Sequence, residues 1–217
     1  GLSGADLATL ATLSPVLPAL KMLVLDEGSG PADPDGVSRL AEGLVADSLP
    51  AVAHFTILSM HAGDAGASAL AAALDRGALP RLEILILADA AIGDTALAAL
   101  APALRRRPAL QDLNLCFNPF GDEGLAALVA PPPKTGALAR LKRLDLDRSQ
   151  IGDAGGAALA AALEFGVMPA LEKLLFGIEF GSGGAAAGAA TLARVKAALT
   201  SDARRSALMS TDALGGN

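Results

Sequence analysis

Apolar residues fall along this chain in two alternating rhythms. The first is a short frame, L-x-x-L-x-L, in which apolar residues two apart mark a strand with one buried face. It begins at Leu20, Val52, Leu82, Leu110, Leu141 and Leu171, so that successive starts lie 32, 30, 28, 31 and 30 residues apart. The inward members are Leu20/Leu23/Leu25, Val52/Phe55/Ile57, Leu82/Leu85/Leu87, Leu110/Leu113/Leu115, Leu141/Leu144/Leu146 and Leu171/Leu174/Phe176. The second rhythm has a four-residue spacing on an Ala-rich background, which is one stripe of a helix. It runs Gly36, Leu40, Leu44; Gly66, Leu70, Leu74; Ala96, Leu100, Leu104; and Gly155, Leu159, Leu163. Asp64, Asp94, Asp122 and Asp153 each precede their helix where an N-cap is expected, able to accept an otherwise unpaired backbone N–H.

Each unit therefore reads as strand, loop, capped helix and return. Neither half buries its apolar side alone, whereas stacked copies do. Two of them, LQDLNLCFNPFGDEGLAAL (110–128) and LKRLDLDRSQIGDAGGAAL (141–159), repeat nearly the same phrase. Their leucines recur because every copy fills the same core slot, and Gly-Asp recurs because every copy starts a helix at the same corner.

This pattern resembles the leucine-rich repeat family, specifically its ribonuclease-inhibitor-like class with a full helix per repeat. The resemblance covers residues 17–178, and residues 2–13 as the helical half of an earlier copy. It implies an α/β solenoid, a horseshoe arc with about six parallel strands on the concave side and helices on the convex side. It also implies that the function is protein binding. The expected organisation is one repeat domain over residues 1–200, with a partial first repeat over 1–19, and a C-terminal tail over 201–217. The chain opens at Gly1 without an initiator Met, which reads as a fragment of something longer.

The family usually places Asn or Cys eight residues after the first frame leucine, where the side chain bonds loop backbone. Here those positions hold Gly28, Met60, Ala90, Asn118, Ser149 and Glu179, so only Asn118 conforms. The first unit carries an irregular loop, GSGPADPDG, over 28–36, and Pro131, Pro132 and Pro133 end the fourth helix by denying it backbone donors. In the last unit the pattern dissolves into GSGGAAAGAATLARVKAAL, where Leu192, Val195 and Leu199 still suggest an amphipathic helix serving as a degenerate cap.

Parallel strands stack about 4.8 Å apart while packed helices need roughly 8–10 Å, so joining the layers bends the array with the sheet inside. On each strand the residues alternating with the buried frame face away from the helices. Three rows follow: Met22, His54, Ile84, Asp112, Arg143, Lys173; then Val24, Thr56, Ile86, Asn114, Asp145, Leu175; then Asp26, Leu58, Ala88, Cys116, Asp147, Gly177. The N-terminal half of this face is apolar and the rest polar and charged. Apolar groups clustered on a wet surface mark an interaction site. The candidate protein-binding residues are Met22, Val24, His54, Thr56, Leu58, Ile84, Ile86, Asp112, Asn114, Arg143, Asp145, Asp147 and Lys173.

Composition narrows the chemistry. Aromatics are 3%, with no Trp and no Tyr, so both core and binding face are aliphatic. A net charge of −6 argues against nucleic acid, because counterion release needs surplus Lys and Arg. The dense basic run Arg105, Arg106, Arg107 closes a predicted helix, where cations favour the negative end of the dipole. Single Cys116 excludes an internal disulfide framework or thiolate zinc cluster and fits a reducing, cytoplasmic setting. No apolar stretch reaches the roughly 18 residues of a spanning helix.

Cys116, His54 and Asp112 invite a nucleophile reading, but two strands and four residues separate His54 from Cys116, roughly 16 Å on ordinary sheet spacings. Asp145 and Asp147 face the same way and read as a surface neutralised by Arg143 and Arg148. His61 has no second ligand at useful spacing, and no phosphate-cradling or zinc motif is present. The expectation is a non-enzymatic binding module with a protein partner. No cofactor, metal, nucleic acid, membrane or small-molecule substrate is anticipated. Alternatives are a GTPase-activating protein, because one branch of this repeat class accelerates GTP hydrolysis, or a structural array with no partner of its own.

Overall fold

The computed structural model describes residues 3–13, 17–26, 35–130, 138–176 and 189–200. Expectations concerning Gly28 and most of the 28–36 loop, Pro131–Pro133, Gly177, Glu179, the GSGG segment at 181–184 and the tail after residue 200 lie outside them. The elements alternate along the chain: α1 (Gly4–Thr12), β1 (Met22–Asp26), α2 (Gly36–Gly43), β2 (His54–Leu58), α3 (Gly63–Asp75), β3 (Ile84–Ala88), α4 (Asp94–Arg105), β4 (Asp112–Asn114), α5 (Asp122–Val129), β5 (Arg143–Asp145), α6 (Asp153–Glu164), β6 (Lys173–Leu175) and α7 (Ala189–Thr200).

Six strands form one parallel sheet in chain order, and each helix packs on the next. The pairing register matches the repeat frame: Met22 lies opposite His54, His54 opposite Ile84, Ile84 opposite Asp112, Asp112 opposite Arg143 and Arg143 opposite Lys173. This is the α/β solenoid that the resemblance to leucine-rich repeats implies, with the frame leucines between sheet and helices. Frame residues of the four middle units are all buried, while Leu20, Leu23, Leu174 and Phe176 at the two ends are only partly covered. Each interior unit is sandwiched between two others, and each terminal unit has one described neighbour.

The corners are built differently from the expectation. In α4, α5 and α6 the N-cap positions belong to Gly93, Gly121 and Gly152, and no side chain of the cap residue accepts a hydrogen bond. The aspartates stand one residue further on, inside the helix, and cap the following repeat. Asp94 Oδ1 accepts from the N–H of Gly121 (2.8 Å), the N-cap of α5, and of Gly124 (2.6 Å) in its first turn. Asp122 Oδ1 accepts from Gly152 N–H at 2.7 Å, and Asp153 Oδ1 from the Thr191 hydroxyl of α7 at 2.5 Å. The second glycine of G-D-x-G makes room: a Cβ at Gly124 would lie 2.7 Å from Asp94 Oδ1, and one at Gly155 2.5 Å from Asp122 Oδ1. In α4 that position is Ala96, and no side-chain hydrogen bond joins Asp64 to it among the described residues.

The opposite corners use cations. Arg76 donates to the carbonyls of Ala41 and Leu44 at the end of α2, each at 3.0 Å. Arg105 donates to Ala127 O at 2.7 Å in the last turn of α5, and Arg107 to Leu74 O in α3 and to Leu79 O. Arg106 pairs with Asp75 at 2.6 Å. The basic run thus serves the carbonyl ends of two neighbouring helices, where positive charge is favourable. Burial lowers the pKa of Arg107 from its ordinary value, and the guanidinium stays charged at neutral pH.

A further periodic feature carries no glycine. Ser59, Asp89, Phe117 and Arg148, each seven residues past its frame start, have φ between 52° and 59°. Ser59, Asp89 and Phe117 donate their N–H to Ala88, Cys116 and Asp147 carbonyls of the next unit, extending the ladder around the bend. Leu49, Leu79 and Leu138 share the left-handed conformation and are buried, so their packing offsets its cost of about 1–3 kcal/mol. At the C-terminal end α7 continues the helix row, burying Val195 and Ala198 and pairing Arg194 with Glu164 at 3.3 Å.

Candidate functional site

The face of the sheet turned away from the helices carries the alternate residues of all six strands. Alternation along each strand and the pairing register place Met22, Val24, His54, Thr56, Leu58, Ile84 and Ile86 on β1–β3. Asp112, Asn114, Arg143, Asp145 and Lys173 follow on β4–β6, and Asp147 two residues past β5. Edge strand β1 displays Met22 at 54% and Val24 at 51% exposure; Leu58, Ile84 and Ile86 are half-buried. Two candidates are less accessible than alternation alone suggests. Thr56 and Asp145 each expose only 5%, because neighbouring side chains on the same face cover them. Thr56 Oγ1 lies 3.1 Å from Nε2 of His54, its neighbour on the same strand and the same face.

Asp145 is covered by a charged neighbour. Arg143 reaches it at 3.1 Å and also reaches Asp112 on β4 at 3.5 Å, so one guanidinium links carboxylates on two strands. The second oxygen of Asp145 accepts the N–H of Asp147 at 3.3 Å, and Asn114 Oδ1 accepts that of Cys116 at 2.9 Å. Such local side-chain-to-backbone bonds compete with the ladder. They coincide with the shortening of strands from five residues in β1–β3 to three in β4 and β5. The polar half of the face is therefore linked across strands by ion pairs, and among the described residues none joins side chains of the apolar half.

The sequence reading missed the far rim of this polar half. Arg148 lies over the Phe117 ring, 4.5 Å from its centroid, joining two left-handed corners of adjacent units. The ring is exposed, and nothing in the alternation marked it because it sits on a turn. Asn118, in contrast, behaves as its position implied. Wholly buried, it accepts from Ala90 and Ile92 N–H at 3.0 Å each and donates to Leu87, Leu115 and Cys116 carbonyls.

Cys116 is half-buried, and burial, reinforced by the negative charges of Asp145 and Asp147, raises its thiol pKa. Such a thiol is protonated at neutral pH and a poor nucleophile. His61 is exposed, away from the sheet face. Among the described residues no three His, Cys, Asp or Glu side chains converge as a metal-ligand set. No described helix is long and apolar enough to cross a membrane.

A single parallel sheet, each strand returning through a helix on a beat of about thirty residues, defines a leucine-rich-repeat solenoid. Residues 108–129 and 140–160, the helix return and frame of units four and five, match the Leucine Rich repeat family model. The chain has the leucine-rich-repeat fold, and two of its units match the family's repeat. Among solved structures it is similar to leiomodin-1 actin-binding site 2, with a TM-score of 0.55 and 16% identity, covering 97% of both chains. It is also similar to the tropomodulin C-terminal domain of Caenorhabditis elegans, with a TM-score of 0.50 and 15% identity over 97% of this chain and 99% of that one. No curated protein matches it in sequence. At these identities the likeness is one of fold.

Proposed function

We propose that this chain is a non-enzymatic interaction module that binds a protein partner through the concave face of its sheet, in the manner of the ribonuclease-inhibitor-like repeats with one helix per unit. The observation that carries the reading is the side-by-side placement of Met22, Val24, Leu58, Ile84 and Ile86 on β1–β3. Two of these are more than half exposed on the strand face, outside the core that holds the fold together. Burying aliphatic surface of this kind contributes about 25 cal/mol per Å². The neighbouring Asp112, Arg143 and Asp145, already fixed by mutual ion pairs, supply register and choice of partner more than affinity.

One fold neighbour is an actin-binding site, but at 16% identity that likeness carries no partner over, and the reading for this chain rests on its own face. The test is capture from native lysate by wild type and by an Ile84→Asp/Ile86→Asp double variant, with circular dichroism as the check on folding. Both positions are half-exposed, so the variant is expected to fold and to lose the captured protein. Equal capture by the two would reject the face as the site.

A further inference from the structure

The apolar patch sits in the most acidic part of the array. From Ala41 to Asp75 the chain carries Glu42, Asp47, Asp64 and Asp75 and no Lys or Arg; from Leu82 to Leu104 it carries Glu83, Asp89 and Asp94 and again none. Of the two cations between these stretches, Arg76 is engaged with the carbonyls that end α2. Asp64 and Asp89 are exposed, and no ion pair engages either among the described residues. Asp89 directly follows Ala88, the last residue of β3, three positions beyond Ile86. Asp64 lies in the first turn of α3, six residues past Leu58 at the end of β2. Asp89 thus rims the patch at the strands' C-terminal ends, while Asp64 stands behind that edge in the helix layer, its Oδ1 beside the N-cap Gly93 of α4, and adds to the negative field of these units.

Resting on the reading above, we infer that the occupant of the patch is an amphipathic, basic segment of a partner protein. Its aliphatic or aromatic anchors lie across β1–β3, and its Lys and Arg residues face the Asp89 rim and the net negative charge of the units behind it. Size agrees with charge. Three strands span about 10 Å and a five-residue strand about 13 Å, the footprint of two or three turns of helix or a short extended stretch. An acidic partner would meet uncompensated like charge along the rim, and a neutral one would gain nothing from it. A negative field over a low-dielectric apolar surface also raises the local concentration of a cationic segment and speeds its encounter.

The test uses the full chain and a display library of random segments of about 16 residues, keeping binders that distinguish wild type from Ile84→Asp/Ile86→Asp. The expected binders carry net positive charge and apolar residues at helical or alternating spacing. Their affinity falls about tenfold or more between low and high salt, as exposed charges are screened. It also falls several-fold for Asp64→Asn/Asp89→Asn, a variant that retains the short polar side chain Asp89 uses at its left-handed corner. Patch-dependent binders that are neutral or acidic, or indifferent to salt and to the Asn variant, overturn the basic partner while leaving the face as the binding site. Absence of any binder sensitive to Ile84 and Ile86 overturns both. Concentration-dependent self-association of wild type, lost in the Ile84/Ile86 variant, assigns the patch to a second copy and likewise overturns the inference.

Discussion

The cross-repeat cap is the feature of this fold whose energetics can be tested most sharply, at Asp94 and Gly124. Asp94→Ala removes the acceptor of two N–H groups at the N-terminus of α5. Helix caps are worth about 0.5–2 kcal/mol, and bonds to a charged acceptor fall in the upper part of that range. Water reaches the half-exposed Asp94 corner, so a loss of about 2 kcal/mol is expected, a fall in melting temperature of about 4–8 °C for a chain of this size. Gly124→Ala attacks the same bond from the other side, since its Cβ would stand 2.7 Å from Asp94 Oδ1 and 3.1 Å from Asp94 Cα. Breaking the cap costs about 2 kcal/mol, and Ala in a helix returns up to about 1 kcal/mol over Gly. Alone, Gly124→Ala is therefore destabilising by about 1 kcal/mol. In the Asp94→Ala background the cap is already gone, and Gly124→Ala becomes neutral or mildly stabilising. Urea unfolding of the four proteins, followed by circular dichroism, measures this as a coupling of about 1–2 kcal/mol, read from midpoints at unchanged slope. Additivity within about 0.5 kcal/mol would refute the bond as the reason for the glycine.

Four further outcomes are expected. Asn118→Ala strands the N–H groups of Ala90 and Ile92 in a buried loop and should destabilise by about 2–4 kcal/mol in the same urea assay. Ser59→Gly relieves a φ of 52° and should raise the unfolding midpoint by an amount worth about 1 kcal/mol. Iodoacetamide should alkylate Cys116 in the folded chain more slowly than in urea at pH 8. A raised thiol pKa leaves less thiolate in the folded state, and the gap should narrow as pH rises through the folded value. Linkage gives the same sign: a proton held more tightly when folded adds stability below the unfolded pKa that is lost as pH rises through the folded one. Arg107→Met keeps the stem and removes the cation from the carbonyls of Leu74 and Leu79, and should cost about 1–2 kcal/mol in urea unfolding.

Periodicity in the sequence, together with the resemblance to leucine-rich repeats that it carries, was sufficient to anticipate the architecture. A frame repeated at 28–32 residues can bury its leucines only if the strands stack in register, so the sheet order and the pairing of Leu85 with Leu113 follow from spacing alone. The same logic placed Ile84 and Ile86 on the face away from the helices, since alternation along a strand is a local property. Asn118 was legible too, through the resemblance to leucine-rich repeats, whose pattern implies a loop-bonding Asn at this position.

What tertiary structure decided are the bonds between units, which lie about thirty residues apart in the chain and carry no local signature. Asp94 reads as a cap for its own helix, yet its carboxylate reaches the next one, because adjacent helix N-termini stand side by side and Gly124 leaves the space. Arg107 reads as closing α4, yet it serves the carbonyl end of α3. The left-handed corners at Ser59, Asp89, Phe117 and Arg148 were invisible because none is glycine; the inter-unit hydrogen bonds at three of them hold a conformation that local preference disfavours. Burial of Thr56 and Asp145 on a nominally open face has the same origin. A period-two pattern says which way a side chain points, and only the neighbours across the sheet determine whether water reaches it.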